Sequence, residues 1–142
     1  MSSKKKSNKN WDKIPYDENL VENAIKLAER DIKTAKDMFE EENYDWSFSI
    51  VYNSMLQAGR ALMFSQGFRP TGKHKHVSVV KFVEQEFSSE FADKIIFMFD
   101  KIRKKRHLVV YEQVDIISKE EAKTALDIAK TFVDKVKDML EK

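Results

Sequence analysis

The sequence predicts an all-α protein, an up-and-down antiparallel bundle of about five helices. Only three glycines and two prolines occur among 142 residues, so long segments contain no residue that strongly breaks a helix. Within these segments apolar residues recur at three- and four-residue spacing, with charged residues between them. Short turns separate the segments, which favours antiparallel neighbours in one bundle.

The first helix is predicted to begin at Asp17 or Asn19 and to end at Glu41. Its apolar residues keep helical spacing, and charged residues fill the positions between them. Glu42 and Asn43 follow as a turn, so the chain reverses before the second helix.

The second helix is predicted over Asp45–Gln66 and is apolar around most of its girth. Such a helix is central in its domain or shared with a partner chain. Gly67 ends the helix, since glycine readily adopts the left-handed conformation that stops a helix. The break continues through residues 70–72, which include a proline and a second glycine.

Three further helices complete the predicted bundle. The third runs over His76–Phe87 and the fourth over Ser89–Tyr111, with the serines at 88–89 offering a cap between them. The fifth opens on Ser118 and Glu121, the capping-box pattern in which the hydroxyl accepts from the third backbone amide and Glu121 reaches back.

Composition indicates one domain, over residues 17–142, preceded by a basic and disordered tail at residues 1–16. The chain has no cysteine, so disulfides and thiolate sites are excluded. No secretory signal or membrane-spanning run is recognised, and we therefore expect a soluble, cytoplasmic protein. The net charge of +2 argues against a surface coated with basic residues for non-specific nucleic-acid binding.

Neither a metal nor an organic cofactor is predicted. His74 and His76 offer two metal ligands, but no carboxylate at a suitable spacing indicates a third. We therefore interpret them as loop or capping histidines. There is no glycine-rich phosphate loop and no nucleophile elbow of a serine hydrolase.

The fourth helix carries the main candidate site, a cluster of basic residues. Arg103, His107 and Tyr111 recur every four residues and therefore share one helical face. Arg106 falls in the apolar register, where a cation needs a partner. The candidate phosphate ligands are basic: Arg103, Lys104, Lys105 and Arg106.

Two interpretations of this cluster remain open from the residues alone. One is a solvated face with a single arginine that pairs with a carboxylate of the bundle. The other is a phosphate site for a nucleotide or RNA, because guanidinium groups bind phosphate oxygens in a bidentate fashion and a nearby imidazole can move a proton.

The order and spacing of several fragments resemble the HEPN domain, a small helical domain of prokaryotes. The resemblance covers the chain from about Val21 onward. Its fragments are Ala28-x-x-Asp31-x-x-x-Ala35, Tyr44-Asp-Trp-Ser47, Val51-Tyr52-Asn53-Ser-Met55, Ala58-Gly-Arg-Ala61-Leu62, Gly67 with a nearby histidine, Arg103-x-x-Arg106-x-x-x-x-Tyr111 and Ser118-x-Glu120-Glu121-Ala122.

The resemblance implies a helical bundle that dimerises and, in nuclease members, a metal-independent RNA-cleaving site in the groove between two protomers. The family's motif is Arg, a polar residue, three variable residues and His. On that pattern the catalytic positions are Arg106, His107 and Tyr111, with Tyr111 where the final His is expected. A phenol ordinarily loses its proton only near pH ~10, so this departure argues against nuclease activity.

We therefore predict a homodimeric module that binds nucleotide or RNA phosphate and partners a minimal nucleotidyltransferase in a toxin–antitoxin-like pair. The first alternative is a metal-independent endoribonuclease toxin in which His107 replaces the missing base. The second is a non-catalytic structural adaptor. The dimer is expected because the apolar residues of the second and fourth helices exceed what one small bundle easily buries.

Overall fold

The computed structural model describes residues 7–141 and confirms the predicted all-α bundle. Each predicted helix is present, with ends that differ by a few residues at most. In chain order the helices are α1 (Glu18–Glu40), α2 (Tyr44–Ser65), α3 (Lys75–Phe87), α4 (Asp93–Tyr111) and α5 (Lys119–Leu140). None of the helices in the described part of the chain is long and apolar enough to cross a membrane.

Helix α2 lies at the centre and contacts each of the other four helices. Its buried side chains therefore face in all directions, which accounts for its apolar girth. Because one chain already buries this girth, the girth of α2 does not by itself require a second chain. On α2 the exposed large apolar side chain is Trp46 in the first turn, and others lie outside α2, with Phe97 on α4 and Val114 after it among them.

The predicted helix starts are confirmed at α1 and α5 but not at α4. The Asp17 side chain accepts a hydrogen bond from the Asn19 amide at 2.9 Å, and Ser118 and Glu121 form the complete capping box. Helix α4 begins at Asp93 rather than Ser89, with no side-chain cap. The chain turns first because Phe91 must reach the core, where its ring centroid lies 4.9 Å from that of Phe132 on α5.

Two short strands form a sheet that the sequence did not predict. Strand β1 (Trp11–Lys13) pairs antiparallel with β2 (Phe68–Pro70), with Trp11 opposite Pro70. Strand β1 therefore lies within the segment 1–16 that was predicted as a disordered tail, while residues 1–6 lie outside the described residues. The physical reason is Trp11, which is buried edge-on against the Phe82 ring of α3 at 5.1 Å.

Two glycines matter for α2: Gly67 lies where the helix ends, and Gly59 lies where α3 packs against it. Gly67 has a φ of +79° and ends α2, as predicted. Gly59 lies where α2 meets α3, and a Cβ on it would fall 2.5 Å from Val79 Cγ1. The absence of a side chain at Gly59 thus sets how closely α3 approaches α2, and α3 carries one of the candidate site residues.

Candidate functional site

The structure divides the four predicted phosphate ligands between two sides of α4. Arg103 lies on the side of α3, and its Nε donates to Asp100 Oδ1 at 2.9 Å. Lys104 also pairs with Asp100, at 3.1 Å. Lys105 lies on the opposite side and pairs with Glu121 at the start of α5. Lys105 is therefore separated from the two arginines.

The other two predicted catalytic residues lie together on the exposed surface of α4. The rings of His107 and Tyr111 are 5.0 Å apart, and Tyr111 is 68% exposed. His107 Nε2 is 3.8 Å from a carboxylate oxygen of Glu112, and no hydrogen bond or ion pair among residues 7–141 joins His107 to Arg106. The three residues of the predicted motif thus do not form one hydrogen-bonded unit within this chain.

Arg106 points inward and lies over the ring of Tyr52 on α2. Its guanidinium carbon is 5.5 Å from the ring centroid, an arrangement in which the negative face of the ring attracts the cation. Arg106 Nε is buried and has no hydrogen-bond partner, and no ion pair of Arg106 is found in the described part of the chain. The carboxylate partner expected for a merely structural arginine is thus missing among residues 7–141.

His76, in the first turn of α3, is the imidazole next to this arginine. Its ring centroid lies 5.6 Å from that of Tyr52. Burial lowers the pKa of His76 below its ordinary value, and the charges of Arg106, Arg60 and Arg103 lower it further. His76 is therefore a neutral imidazole at pH 7, although it remains accessible to solvent.

Arg60 brings a third guanidinium to the same place. It follows Tyr52 by two turns of α2 and therefore lies on the same face of the helix. Its Nε is also buried without a hydrogen-bond partner, and its charge contributes to the lowered pKa of His76. We call Arg60, Arg103, Arg106, His76 and Tyr52 the cation cluster.

Three members of the cation cluster were not predicted as site residues. Tyr52 and Arg60 entered only as fragments of a resemblance, and His76 was interpreted as a loop or capping histidine. A usable signal was present for Arg60, because it is the one charged residue of α2 after Asp45 in the first turn. No such signal marked His76, since only the packing of α3 on α2 brings it to Tyr52.

Ionisation in the cluster follows from burial and from the arginines. Burial raises the pKa of Tyr52 well above its ordinary value, against the opposing charges of Arg103 and Arg106, so the phenol stays protonated. Burial also acts to raise the pKa of Asp100, but hydrogen bonds and charges of Arg103 and Lys104 outweigh it and the pKa lies below the ordinary value. Asp100 is consequently an anion that balances Arg103.

The cluster as a whole carries more positive charge than its carboxylates balance. Arg60 and Arg106 make no ion pair among the described residues, and the neutral His76 adds a polar group without charge. A cavity of about 410 Å³, lined by residues 72–77 and Arg103, opens beside it. Clustered guanidinium groups in a partly buried cleft attract anions, and their planar donors match phosphate oxygens.

We expect inorganic phosphate to raise the pKa of His76, because a bound anion offsets the arginine charges that lower it. Without phosphate the ring should titrate below the ordinary histidine value of about 6.5. Ring nitrogen shifts followed by NMR across pH, with and without phosphate, measure both values. An unchanged pKa of His76 would remove it from any anion site.

No group of three or more histidine, aspartate or glutamate side chains positioned for a metal ion is found among residues 7–141. His74 occupies the N-cap position of α3 without a side-chain capping hydrogen bond.

Comparison with known proteins gives one family and two curated relatives. The family model of the HEPN domain matches residues 21–139. The chain is 27% identical over 122 residues to "Putative toxin MJ0142" of Methanocaldococcus jannaschii, covering 84% of this chain and 81% of that protein. It is 26% identical over 125 residues to "Putative toxin MJ0605" of the same organism, covering 84% and 88% respectively.

Proposed function

This chain belongs to the HEPN domain family, and from that premise we propose that it is a toxin-like protein whose cation cluster binds the phosphate backbone of single-stranded RNA. The RNA backbone supplies anionic oxygens, which are the partners that the unpaired guanidinium groups lack. The relatives named as toxins are consistent with this role, since each shares most of its length with the chain.

The observation that carries the proposal is the state of Arg106. A guanidinium is ordinarily buried only with its donors satisfied, because an unpaired buried donor costs about 1–3 kcal/mol or more when charged. Arg106 instead lies on an aromatic ring, with Nε buried and unpartnered in the described part of the chain. Unpaired buried polar groups are rare in native proteins and call for an explanation, and a functional role is one of those they have, which supports a ligand-binding role for Arg106.

A second candidate function, metal-independent cleavage of RNA, is favoured by one specific observation. His76, a member of the cation cluster, is neutral at pH 7, so its unprotonated ring nitrogen can accept a proton. The 2′-hydroxyl would give that proton to His76 as its oxygen attacks the phosphorus. The bond to the 5′-oxygen would then break, with a proton taken from water, leaving a 2′,3′-cyclic phosphate and a 5′-hydroxyl.

Incubation with labelled single-stranded RNA in the presence of a chelator tests both functions. We expect binding by fluorescence anisotropy and, for the nuclease, cleavage that persists without divalent metal. His76→Ala should abolish cleavage, whereas His107→Ala should leave it unchanged. Cleavage lost in His107→Ala but retained in His76→Ala would support His107 as the base, as predicted from the sequence. Failure to bind RNA at all would favour the alternative of a non-catalytic structural adaptor.

The proposal includes a homodimer and a minimal nucleotidyltransferase partner, in a pair of the toxin–antitoxin kind in the cytoplasm. Exposed apolar side chains of α4 and the residues after it support an interface there: Phe97, Val110, Tyr111 and Val114. Light scattering on the samples used for RNA binding should give twice the 16.7 kDa of one chain. A measured mass equal to that of a single chain at micromolar concentration would contradict the predicted dimer.

A further inference from the structure

A second cavity lies next to the cation cluster and has no role in the proposal above. It is a groove of about 1100 Å³ between the segment 14–18, helix α2, strand β2 and the start of α3. Ligand sites commonly occupy about 300–1,000 Å³, so the groove is large enough for a nucleoside. We call it the N-terminal groove.

The N-terminal groove is continuous with the cation cluster through shared residues. Arg60 and His76 line it and are also members of the cluster. His76 lines the smaller cavity with Arg103 as well. A chain of nucleotides with one phosphate at Arg103 and Arg106 can therefore pass His76 and place its neighbour in the groove.

Arg60 gives the groove a donor without an acceptor. Its guanidinium carbon lies 5.6 Å from the ring of Phe64, which holds the side chain along α2. Its Nε is buried and unpartnered among residues 7–141. A phosphate in the groove beside Arg60 would meet the accessible part of this half-buried guanidinium.

The segment 14–18, which lines the groove, has the chemistry for a base and a ribose. Tyr16 is 63% exposed and offers an aromatic face, on which an unpaired base stacks. Asp17 and Glu18 follow it directly and also line the groove. Their carboxylates repel a second phosphate there but accept hydrogen bonds from amino and ribose hydroxyl groups.

We propose that the N-terminal groove holds the base and ribose of one nucleotide of single-stranded RNA, with its phosphate toward Arg60 and its base on Tyr16. The inference rests on the proposed function of the cation cluster and adds a subsite to it. The charges of the lining residues favour this orientation, because the cations Arg60, Arg69 and Lys75 lie on α2, β2 and α3, whereas the carboxylates of Asp17 and Glu18 lie at the start of α1.

Two probes of equal length separate this subsite from the cluster: a labelled single-stranded RNA and the same backbone without bases. Tyr16→Ala in the full chain should weaken binding of RNA by about tenfold, the loss of one stacked base. The same variant should bind the abasic strand as the wild type does. Arg60→Gln should weaken binding of both strands, since Arg60 contacts phosphate.

Trp46→Ala is the matched control, because Trp46 is an equally exposed aromatic residue at the far end of α2. It should bind both strands like the wild type. Binding of RNA by Tyr16→Ala with wild-type affinity, while the wild type binds both probes, would overturn the subsite alone. Failure of the wild type to bind either probe would overturn the proposed function and this inference with it.

Discussion

Replacement of Arg106 by glutamine is expected to weaken binding of single-stranded RNA by about ten- to a hundredfold, the loss of charge-assisted hydrogen bonds to phosphate. Glutamine keeps much of the length of the side chain but removes the charge and the fork of donors. Fluorescence anisotropy over a range of salt concentrations measures the effect. The slope of log affinity against log salt should fall by about one, since one phosphate contact is lost.

Lys130→Gln is the control for this change in charge. Lys130 is exposed on α5, where it pairs with Asp134 at 3.1 Å, far along the chain from the cation cluster. It should leave both the affinity and the salt slope at their wild-type values. Equal affinity of Arg106→Gln and the wild type would contradict the proposed function.

Stability distinguishes a binding role of Arg106 from a structural one. Because Arg106 has no ion pair among residues 7–141, its replacement breaks none, and the free energy of unfolding should fall by no more than the roughly 0.5–2 kcal/mol of its contact with the Tyr52 ring. Urea denaturation provides the measurement. A loss of about 3 kcal/mol or more, typical of breaking a buried ion pair, would instead assign Arg106 to the architecture of the bundle.

Gly59→Val is expected to destabilise the protein by about 2–3 kcal/mol, through overpacking between α2 and α3. A Cβ at this position would already lie 2.5 Å from Val79 Cγ1, and Val79 is itself buried. Helix α3 must therefore move away from α2. Since His76 is carried by α3, RNA binding should weaken together with the free energy of unfolding.

A double-mutant cycle with smaller substitutions tests whether the close contact between Gly59 and Val79 causes the loss of stability. Gly59→Ala adds the clashing Cβ, and Val79→Ala removes the Cγ1 atom that it meets. The double variant should lose less stability than the sum of the two single variants, with a coupling of about 0.5–3 kcal/mol. Additive losses would show that the close approach at Gly59 is not what limits this position.

The helices were predictable because each depends on local signals. The capping box of Ser118 and Glu121 and the left-handed Gly67 mark helix ends regardless of what lies nearby. The sheet was not predictable on those grounds. Its strands have three residues each, too few for an alternating pattern, and Trp11 is ordered by packing on Phe82, which lies far along the chain.

The candidate site was predictable only in part, because it draws on three helices. Helical spacing placed His107 beside Tyr111, and the apolar register placed Arg106 toward the core, but neither could identify the partners of these side chains on other helices. That orientation, set by packing, directs Arg106 to Tyr52 and Lys105 to Glu121. The approach of His76 depends on the contact between α2 and α3, which no pattern within either helix encodes.

The position of Trp11 also makes the N-terminal strand optically visible. The chain has two tryptophans, of which Trp11 is 4% exposed and Trp46 is 59% exposed. A Trp46→Phe background leaves emission from the buried indole alone, against the aromatic ring of Phe82. Release of β1 would then shift this emission to the red while the far-ultraviolet dichroism of the helices stays constant. Opening of the strand can therefore be timed separately from unfolding of the bundle.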